Sequence, residues 1–293
     1  MKTINHEYSK IKYNEGNVIP YFSYEALDKL PFISHLFTTR LGGVSKDHLS
    51  SLNLSYTRGD DDENVTENFR RVAKEMHITI DDIVLSHQTH TNNVRVITEA
   101  DKGKGITKPL DYSDVDGMIT NVKGICLSTF YADCVPLYFV DPVNKAIGLS
   151  HSGWKGTVTR IGKETIEAMA KEYGSNPRDI LVAIGPSICM DCYEISEDVA
   201  ERFIEEFGLH NSIPDYADLN KNEYKKVILA KKPAGKYQLN LWEANIRVFL
   251  DAGILPEHIS LTNVCTCCNS ELLFSHRKTN GQRGNLGAFL MLK

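Results

Sequence analysis

Two consecutive apolar strands with reactive side chains at their ends constrain this chain most. Tyr131-Ala132-Asp133-Cys134 runs into Val135-Pro136-Leu137-Tyr138-Phe139-Val140-Asp141-Pro142, and Ala146-Ile147-Gly148-Leu149-Ser150 runs into His151-Ser152-Gly153-Trp154-Lys155-Gly156. A cysteine beside an aspartate opens the first strand, and a histidine closes the second just ahead of a glycine-flanked turn. Two soft, polarisable ligand types therefore meet at neighbouring strand ends. A third imidazole from elsewhere in the chain would complete a catalytic metal site.

A length of 293 residues fits one large α/β domain or two smaller ones. No repeat, low-complexity segment or Pro/Gly/Ser linker divides it, so a single domain over residues 1–293 is expected. Hydrophobic residues make up 42% and charged residues 24%, enough apolar material for an ample core. The formal charge of −5 gives no electrostatic reason to expect a nucleic acid or an anionic membrane as partner. The N-terminal residues Met1–Lys10 contain no apolar signal region, and no later run approaches the ~20 residues needed to cross a bilayer. Seven cysteines, an odd number outside any short secreted scaffold, are expected as reduced thiols or thiolate ligands. A soluble, cytoplasmic protein is the expectation.

Along the chain, Pro31–Thr39 reads as a strand leading into Thr39-Arg40-Leu41-Gly42-Gly43-Val44-Ser45. Adjacent glycines after an arginine can expose backbone N–H groups beside a guanidinium, which suits an oxyanion, although a plain tight turn explains the same residues. Asp62–Met76 carries a helical apolar stripe with acidic residues in its first turn. Ile83–Leu85 is a strand ending in Ser86-His87-Gln88-Thr89-His90. On a strand His87 and His90 would face opposite ways, so only one would join a given site unless the chain bends. The glycines and proline of 101–113 mark a loop, and Gly117–Thr120 and Ile125–Phe130 are short strands in which Cys126 is expected buried and inert. Val158–Tyr173 reads as a helix stopped by Gly174, which places Lys155 and free N–H groups at a helix start that suits phosphate. A strand over Ile180–Ile184, a helix from Ser196 to Gly208, a loop-like polar segment from Asn211 to Lys232, a helix capped by Asn240 and Glu243, and strands over Ile259–Val264 and Leu286–Leu292 complete the pattern. Strands outnumber helices and several are adjacent, which predicts an α/β fold with mixed β-sheets flanked by helices.

Three chemical readings are open on the residues alone. His90, Cys134 and His151 would bind one Zn²⁺ and leave a fourth position free. Alternatively, Cys189-x-x-Cys192 with Cys265-x-Cys267-Cys268 would form a structural thiolate site; the first half is correctly spaced, the second taken this way is not, and unrelated reduced thiols are preferred. In the third reading Cys134 is a nucleophile activated by His151, as in a cysteine hydrolase.

Gln88-Thr89-His90 with Val94, Asp116-Gly117, Ala132-Asp133-Cys134-Val135-Pro136-Leu137, His151-Ser152-Gly153-Trp154-Lys155-Gly156-Thr157, Gly185-Pro186-Ser187-Ile188 with Cys192-Tyr193-Glu194, and Phe274-Ser275-His276-Arg277 together resemble the YfiH/YlmD-type family, long labelled "laccase domain" or "multicopper polyphenol oxidase". The resemblance runs from about Ser34 to the C-terminus. It implies a YfiH-like fold and a zinc-dependent purine nucleoside enzyme that phosphorolyses adenosine, inosine, guanosine and S-methyl-5′-thioadenosine and deaminates adenosine. It places the zinc ligands, and with them the catalytic centre, on His90, Cys134 and His151. It also lifts the Arg40 loop above a plain turn. On this reading purine nucleosides and phosphate are the ligands, with Asp133 as an outer support, Gln88 or His87 facing the base, and Arg40, Lys155 or Arg277 holding phosphate. A cysteine hydrolase and a non-catalytic metal-binding protein remain the alternatives. Copper is the poorer metal, because multicopper sites are normally reached through His-x-His pairs and this sequence has none. Two departures from the family pattern stand out: the 101–113 loop is long, and Ile188-Cys189-Met190 stands where Ile-Gly is more usual.

Overall fold

The computed structural model describes residues 9–12, 19–220, 223 and 226–293. Residues 1–8, where an export signal would begin, lie outside the described residues, as do four positions of the polar 211–232 segment. Two six-stranded mixed sheets lie at the centre. The first has the spatial order Ser9–Lys12, Tyr21–Tyr24, Ile33–Thr38, Leu286–Leu292, Cys126–Tyr131, Ile83–Leu85. The second has the order Ile259–Leu261, Leu181–Ile184, Val135–Asp141, Ala146–Ser152, Gly117–Thr120, Val94–Val96. The mixing is local: the parallel pairs are 83–85 with 126–128, 94–96 with 117–119, and 182–184 with 259–261.

The strand period of two distributes side chains between layers. In Val135–Asp141, Tyr138 and Val140 meet Phe37, Leu127 and Leu290 of the first sheet in a core between the sheets. Leu137 and Phe139 face the other way, onto Ile161, Ile166 and Phe249 of the covering helices. The outer face of the first sheet, with Leu36, Phe289 and Met291, packs on Val65, Phe69 and Val72 of the helix Asp62–Glu75. That helix begins where the Asp61 carboxylate accepts the Glu63 N–H at 2.9 Å. The result is a helix–sheet–sheet–helix stack, and each fully buried Leu or Phe contributes about 1.5–3 kcal/mol. Among the described residues no helix is long and apolar enough to cross a membrane.

Two expectations change. The segment 158–173 is two helices, Trp154–Val158 and Ile161–Tyr173, because Arg160 takes a left-handed φ of 57°. Its guanidinium binds Glu206 and, at 2.9 Å, Asp251, which ties the break to two other helices. The polar segment also ends in a strand, Leu229–Lys232, that joins Glu194–Ser196 and Lys236–Leu239 in a small third sheet. Only Leu229 and Ala230 of that strand are buried, too few to print a period on the sequence.

Candidate metal centre

His90, Cys134 and His151 come together at one end of the two central sheets, with one ligand atom from each lying within 4.8 Å of the others. Cys134 sits where the chain crosses from the first sheet, which it leaves at Tyr131, to the second, which it enters at Val135. The pairing of Pro136 with His151 then sets the histidine beside that corner. His90 arrives from the loop after Ile83–Leu85. Its Nε2 is 3.9 Å from the Cys134 Sγ, and its ring stands edge-on to that of His151. A Cβ at Gly153 would lie 2.8 Å from the His90 ring and 3.2 Å from the Cys134 sulfur, so only glycine fits behind the ligands.

One buried carboxylate orients both histidines. Asp116 accepts His151 Nδ1–H at 2.8 Å and the backbone N–H groups of Thr89, His90 and Thr91 at 2.9–3.1 Å. These bonds hold His90 at φ 65°, a conformation costly for a non-glycine residue and common where a site over-determines the backbone. They also leave His151 Nε2 to face the cluster. Burial alone would raise the Asp116 carboxyl, but the His151 hydrogen bond and charge outweigh it and hold the group at about 2. Burial likewise opposes ionisation of Cys134, yet the His151 charge and its hydrogen bond bring the thiol down to about 6. Burial would lower His151, but Cys134 and Asp116 lift it to about 9. A thiolate and two oriented imidazoles form a nitrogen–sulfur donor set that fits Zn²⁺ with one position open. The open side faces a cavity of about 480 Å³.

The other sequence-derived candidates distribute unevenly. Gln88 lines the cavity, but its amide is spent on the Phe130 backbone and the Ser86 hydroxyl. His87 also lines it, since the chain bends after Leu85 instead of continuing as a strand, so both histidines reach one cavity. The remaining four do not line it. Arg40 donates to the Ser50 and Ser270 carbonyls and stacks over Phe274, and the N–H groups of Leu41, Gly43 and Val44 are taken by Thr39, Ser51 and Asn68. The loop is a packing turn: a Cβ at Gly43 would lie 2.1 Å from the Ser51 carbonyl. Lys155 is exposed beside Trp154. Arg277 donates to the carbonyls of Cys192 and Glu194. The Asp133 carboxylate is engaged elsewhere, accepting the Thr266 hydroxyl at 2.6 Å and the Arg277 N–H at 2.7 Å.

The cations that do line the cavity are Arg58, Lys108 and Arg283. Arg283 is buried, its Nε has no hydrogen-bond partner, and burial together with the nearby Arg58 charge lowers it to about 10. Among the described residues, neither arginine is paired with a carboxylate. The only local signal was an arginine next to Gly284 just ahead of an apolar strand. The outer support also differs from expectation, being Asp116 and not Asp133. Gly105, Lys108, Pro109 and Leu110 of the long loop form part of the cavity wall. Finally, Cys189, Cys192, Cys265 and Cys268 form a second cluster. The sequence pairing is corrected: Cys265 and Cys268 do have the two-residue gap, and Cys267 stands apart.

The model of the family described as multi-copper polyphenol oxidoreductase laccase matches residues 34–293. The chain is 36% identical to a protein of Bacillus subtilis named purine nucleoside phosphorylase YlmD, over 88% of this chain and 87% of that one. It is 33% identical to a protein from an unknown prokaryotic organism named adenosine deaminase RL5, over 86% and 93% of the two chains. The crystal structure of YlmD from Geobacillus stearothermophilus superposes with a TM-score of 0.82 at 30% identity, covering 97% of this chain and 99% of that one. With its mixed sheets and its His–Cys–His corner set in that fold, the chain belongs to the YfiH/YlmD family that carries the laccase description.

Proposed function

We propose that this chain is a zinc-dependent purine nucleoside phosphorylase acting on adenosine, inosine, guanosine and S-methyl-5′-thioadenosine, and that it also deaminates adenosine. The observation that carries this reading is the open His90–Cys134–His151 cluster beside a cavity whose Arg58 and Arg283 have no carboxylate partner among the described residues. Bound at those three residues, Zn²⁺ would supply a Lewis acid with one open position. Zinc is preferred to copper because, although two imidazoles and a thiolate also make a blue-copper set, no methionine among the described residues lines the cavity to serve as its axial ligand and the sequence has no His-x-His pair for a copper cluster. The names of the relatives, purine nucleoside phosphorylase and adenosine deaminase, support the reading at the level of purine nucleosides and adenosine.

The protein's own groups then have separate tasks. Arg283 and Arg58 bind phosphate, the buried guanidinium giving the stronger charge-assisted bonds. Leu85, Phe130 and Tyr131 supply the apolar wall against which a purine rests. In phosphorolysis a phosphate oxygen bonds to C1′ as the C1′–N9 bond breaks, and the departing base takes a proton. That proton is the one the attacking hydrogen phosphate gives up, and His87 can hydrogen-bond the departing base: Nδ1 accepts the Asp114 N–H at 3.4 Å, which leaves Nε2 as the donor. Asp116 keeps both ligand histidines in place throughout.

A second reading has its own observation, the thiolate-favouring pair of Cys134 and His151, which is what a cysteine hydrolase requires. Purified protein incubated with adenosine and resolved by chromatography separates the two. The phosphorylase reading expects adenine and ribose 1-phosphate when phosphate is present, inosine as the deamination product, and loss of both on chelation. Cys134→Ala should cost more than the roughly 10–100-fold typical of losing an outer support. Absence of adenine and inosine with zinc-loaded protein sinks the proposal, and activity that survives chelation but not alkylation of Cys134 favours the hydrolase.

A further inference from the structure

We infer that Cys189, Cys192, Cys265 and Cys268 form a second metal site, a closed tetrathiolate that holds one Zn²⁺ and braces the corner carrying Cys134. The four sulfurs all lie within 4.8 Å of one another. Cys192 is 3.5 Å and Cys189 is 4.0 Å from Cys268, sulfur to sulfur. A regular tetrahedron with Zn–S bonds of 2.3 Å has edges of about 3.8 Å, so these spacings are those of sulfurs around one ion. They are well beyond the roughly 2.05 Å of a disulfide.

The backbone is arranged for the same purpose. Each half is a Cys-x-x-Cys turn, the pairing typical of structural zinc. The two turns extend a parallel strand pair, Leu181–Ile184 with Ile259–Leu261, and continue it through a bridge between Ser187 and Cys265. Cys265 Sγ, the most buried of the four, accepts the N–H groups of Cys189 at 3.3 Å and Cys268 at 3.4 Å. Backbone donors aimed at a sulfur favour the charged thiolate that a metal requires. Binding is not a redox step: four S–H bonds give up protons, four Zn–S bonds form, and the ion stays divalent. Zinc suits a site fully enclosed by thiolates, with no position left for a reactant.

The cluster connects to the first site through Asp133, which precedes Cys134 at a left-handed φ of 90°. Ile188, next to Cys189, donates its N–H to the Asp133 carbonyl at 2.9 Å. Thr266, next to Cys265, donates its hydroxyl to the Asp133 carboxylate at 2.6 Å. Clamping the two turns together therefore fixes two of the three groups that hold Asp133 in its strained conformation, the third being the Arg277 N–H. The four cysteines are positioning residues for Cys134, not catalytic ones.

The test uses the full chain in the Cys134→Ala background, where the first site is disabled. That protein should retain one zinc per chain by elemental analysis. It should release the ion stoichiometrically when its thiols are titrated with an organomercurial, and after exchange with Co²⁺ it should show the intense thiolate-to-metal absorption of a tetrathiolate. Adding Cys192→Ser with Cys268→Ser should remove the ion. In the Cys134-containing protein the same pair should leave one zinc and lower the affinity of the remaining site about 10–100-fold, as loss of an outer support does. Zinc-free Cys134→Ala protein with all four thiols free, an intact mass lighter by the hydrogens of disulfides, or iron with acid-labile sulfide would each overturn the assignment. None of these readouts depends on nucleoside turnover, so the inference and the proposed activity can fail separately.

Discussion

The two cysteine-containing clusters answer different demands with similar atoms. At His90–Cys134–His151 three donors of two kinds face a cavity, and their orientation comes from Asp116 behind them. At the four-cysteine cluster the donors are all thiols, carried in pairs by two turns, and no cavity residue is among them. An incomplete donor set gives a bound ion room to meet a reactant, whereas a complete one only ties chain segments together. The cost of openness is that geometry must be imposed from outside the donor set. That is why the first cluster contains a left-handed histidine, a left-handed aspartate and a glycine that no side chain could replace.

If this contrast is right, the largest effect from a residue that touches neither substrate nor metal belongs to Asp116. Asp116→Asn preserves the shape but removes the charge that orients His151 and three consecutive N–H groups. Metal affinity at the open cluster should fall about 10–100-fold, with matching loss of turnover at subsaturating zinc. The tetrathiolate should keep its ion. A uniform loss of both ions would mean that the protein had unfolded instead, and circular dichroism of the variant distinguishes the cases.

An effect of similar size but confined to one of the two reactions is expected at Arg283. The group is buried and its Nε is unpartnered, so a phosphate would gain a charge-assisted hydrogen bond there, worth about 1.5–3 kcal/mol. Arg283→Gln should therefore raise the KM for phosphate roughly 10–100-fold while changing adenosine deamination, which consumes no phosphate, much less. Equal losses in the two reactions would show that Arg283 supports the cavity wall and does not bind phosphate.

These residues also show what the sequence could and could not reveal. His90, Cys134 and His151, which the structure clusters, stand out as candidates because cysteine and histidine at strand ends carry their chemistry in their identity, but the residues alone leave three readings open and only the family resemblance groups them. Leu137 and Phe139 against Tyr138 and Val140 were legible as a strand, though not as the boundary between two cores, because an apolar run buried on both faces reads the same in either orientation. Asp116, 26 positions from His90 and 35 from His151, acts only through the meeting of three separate segments. Neighbourhood in sequence is a poor guide to a charged side chain when its guanidinium folds back onto carbonyls, as those of Arg40 and Arg277 do. The second thiolate pair was obscured by Cys267, whose proximity to Cys268 hid the correct gap between Cys265 and Cys268.

The smallest expected effect concerns how the open site's wall is held, since the closed cluster needs no such wall. The long loop begins at buried Asp101, which binds Lys104 at 2.9 Å and Arg95 at 3.3 Å and accepts both the N–H and the hydroxyl of Thr98. Burial alone would raise its carboxyl, but the Lys104, Thr98 and Arg95 hydrogen bonds outweigh it and hold the group at about 2. A carboxylate depressed in the folded state stabilises it fully above the unfolded value of about 3.9, and that contribution disappears as pH falls towards 2. Asp101→Asn keeps part of the Thr98 bonding, so the loss at neutral pH should be about 1–3 kcal/mol, read from denaturant midpoints. The gap between variant and wild type should narrow as pH drops from about 4 towards 2, because the wild-type group then becomes neutral as well. A gap independent of pH over that range would show that Asp101 acts by shape and not by charge. Because Lys108, Pro109 and Leu110 line the cavity beyond this anchor, any loosening should appear as a modest rise in nucleoside KM with the zinc content of both clusters unchanged. That outcome would separate the wall of the open site from its metal, a division that the closed site does not have.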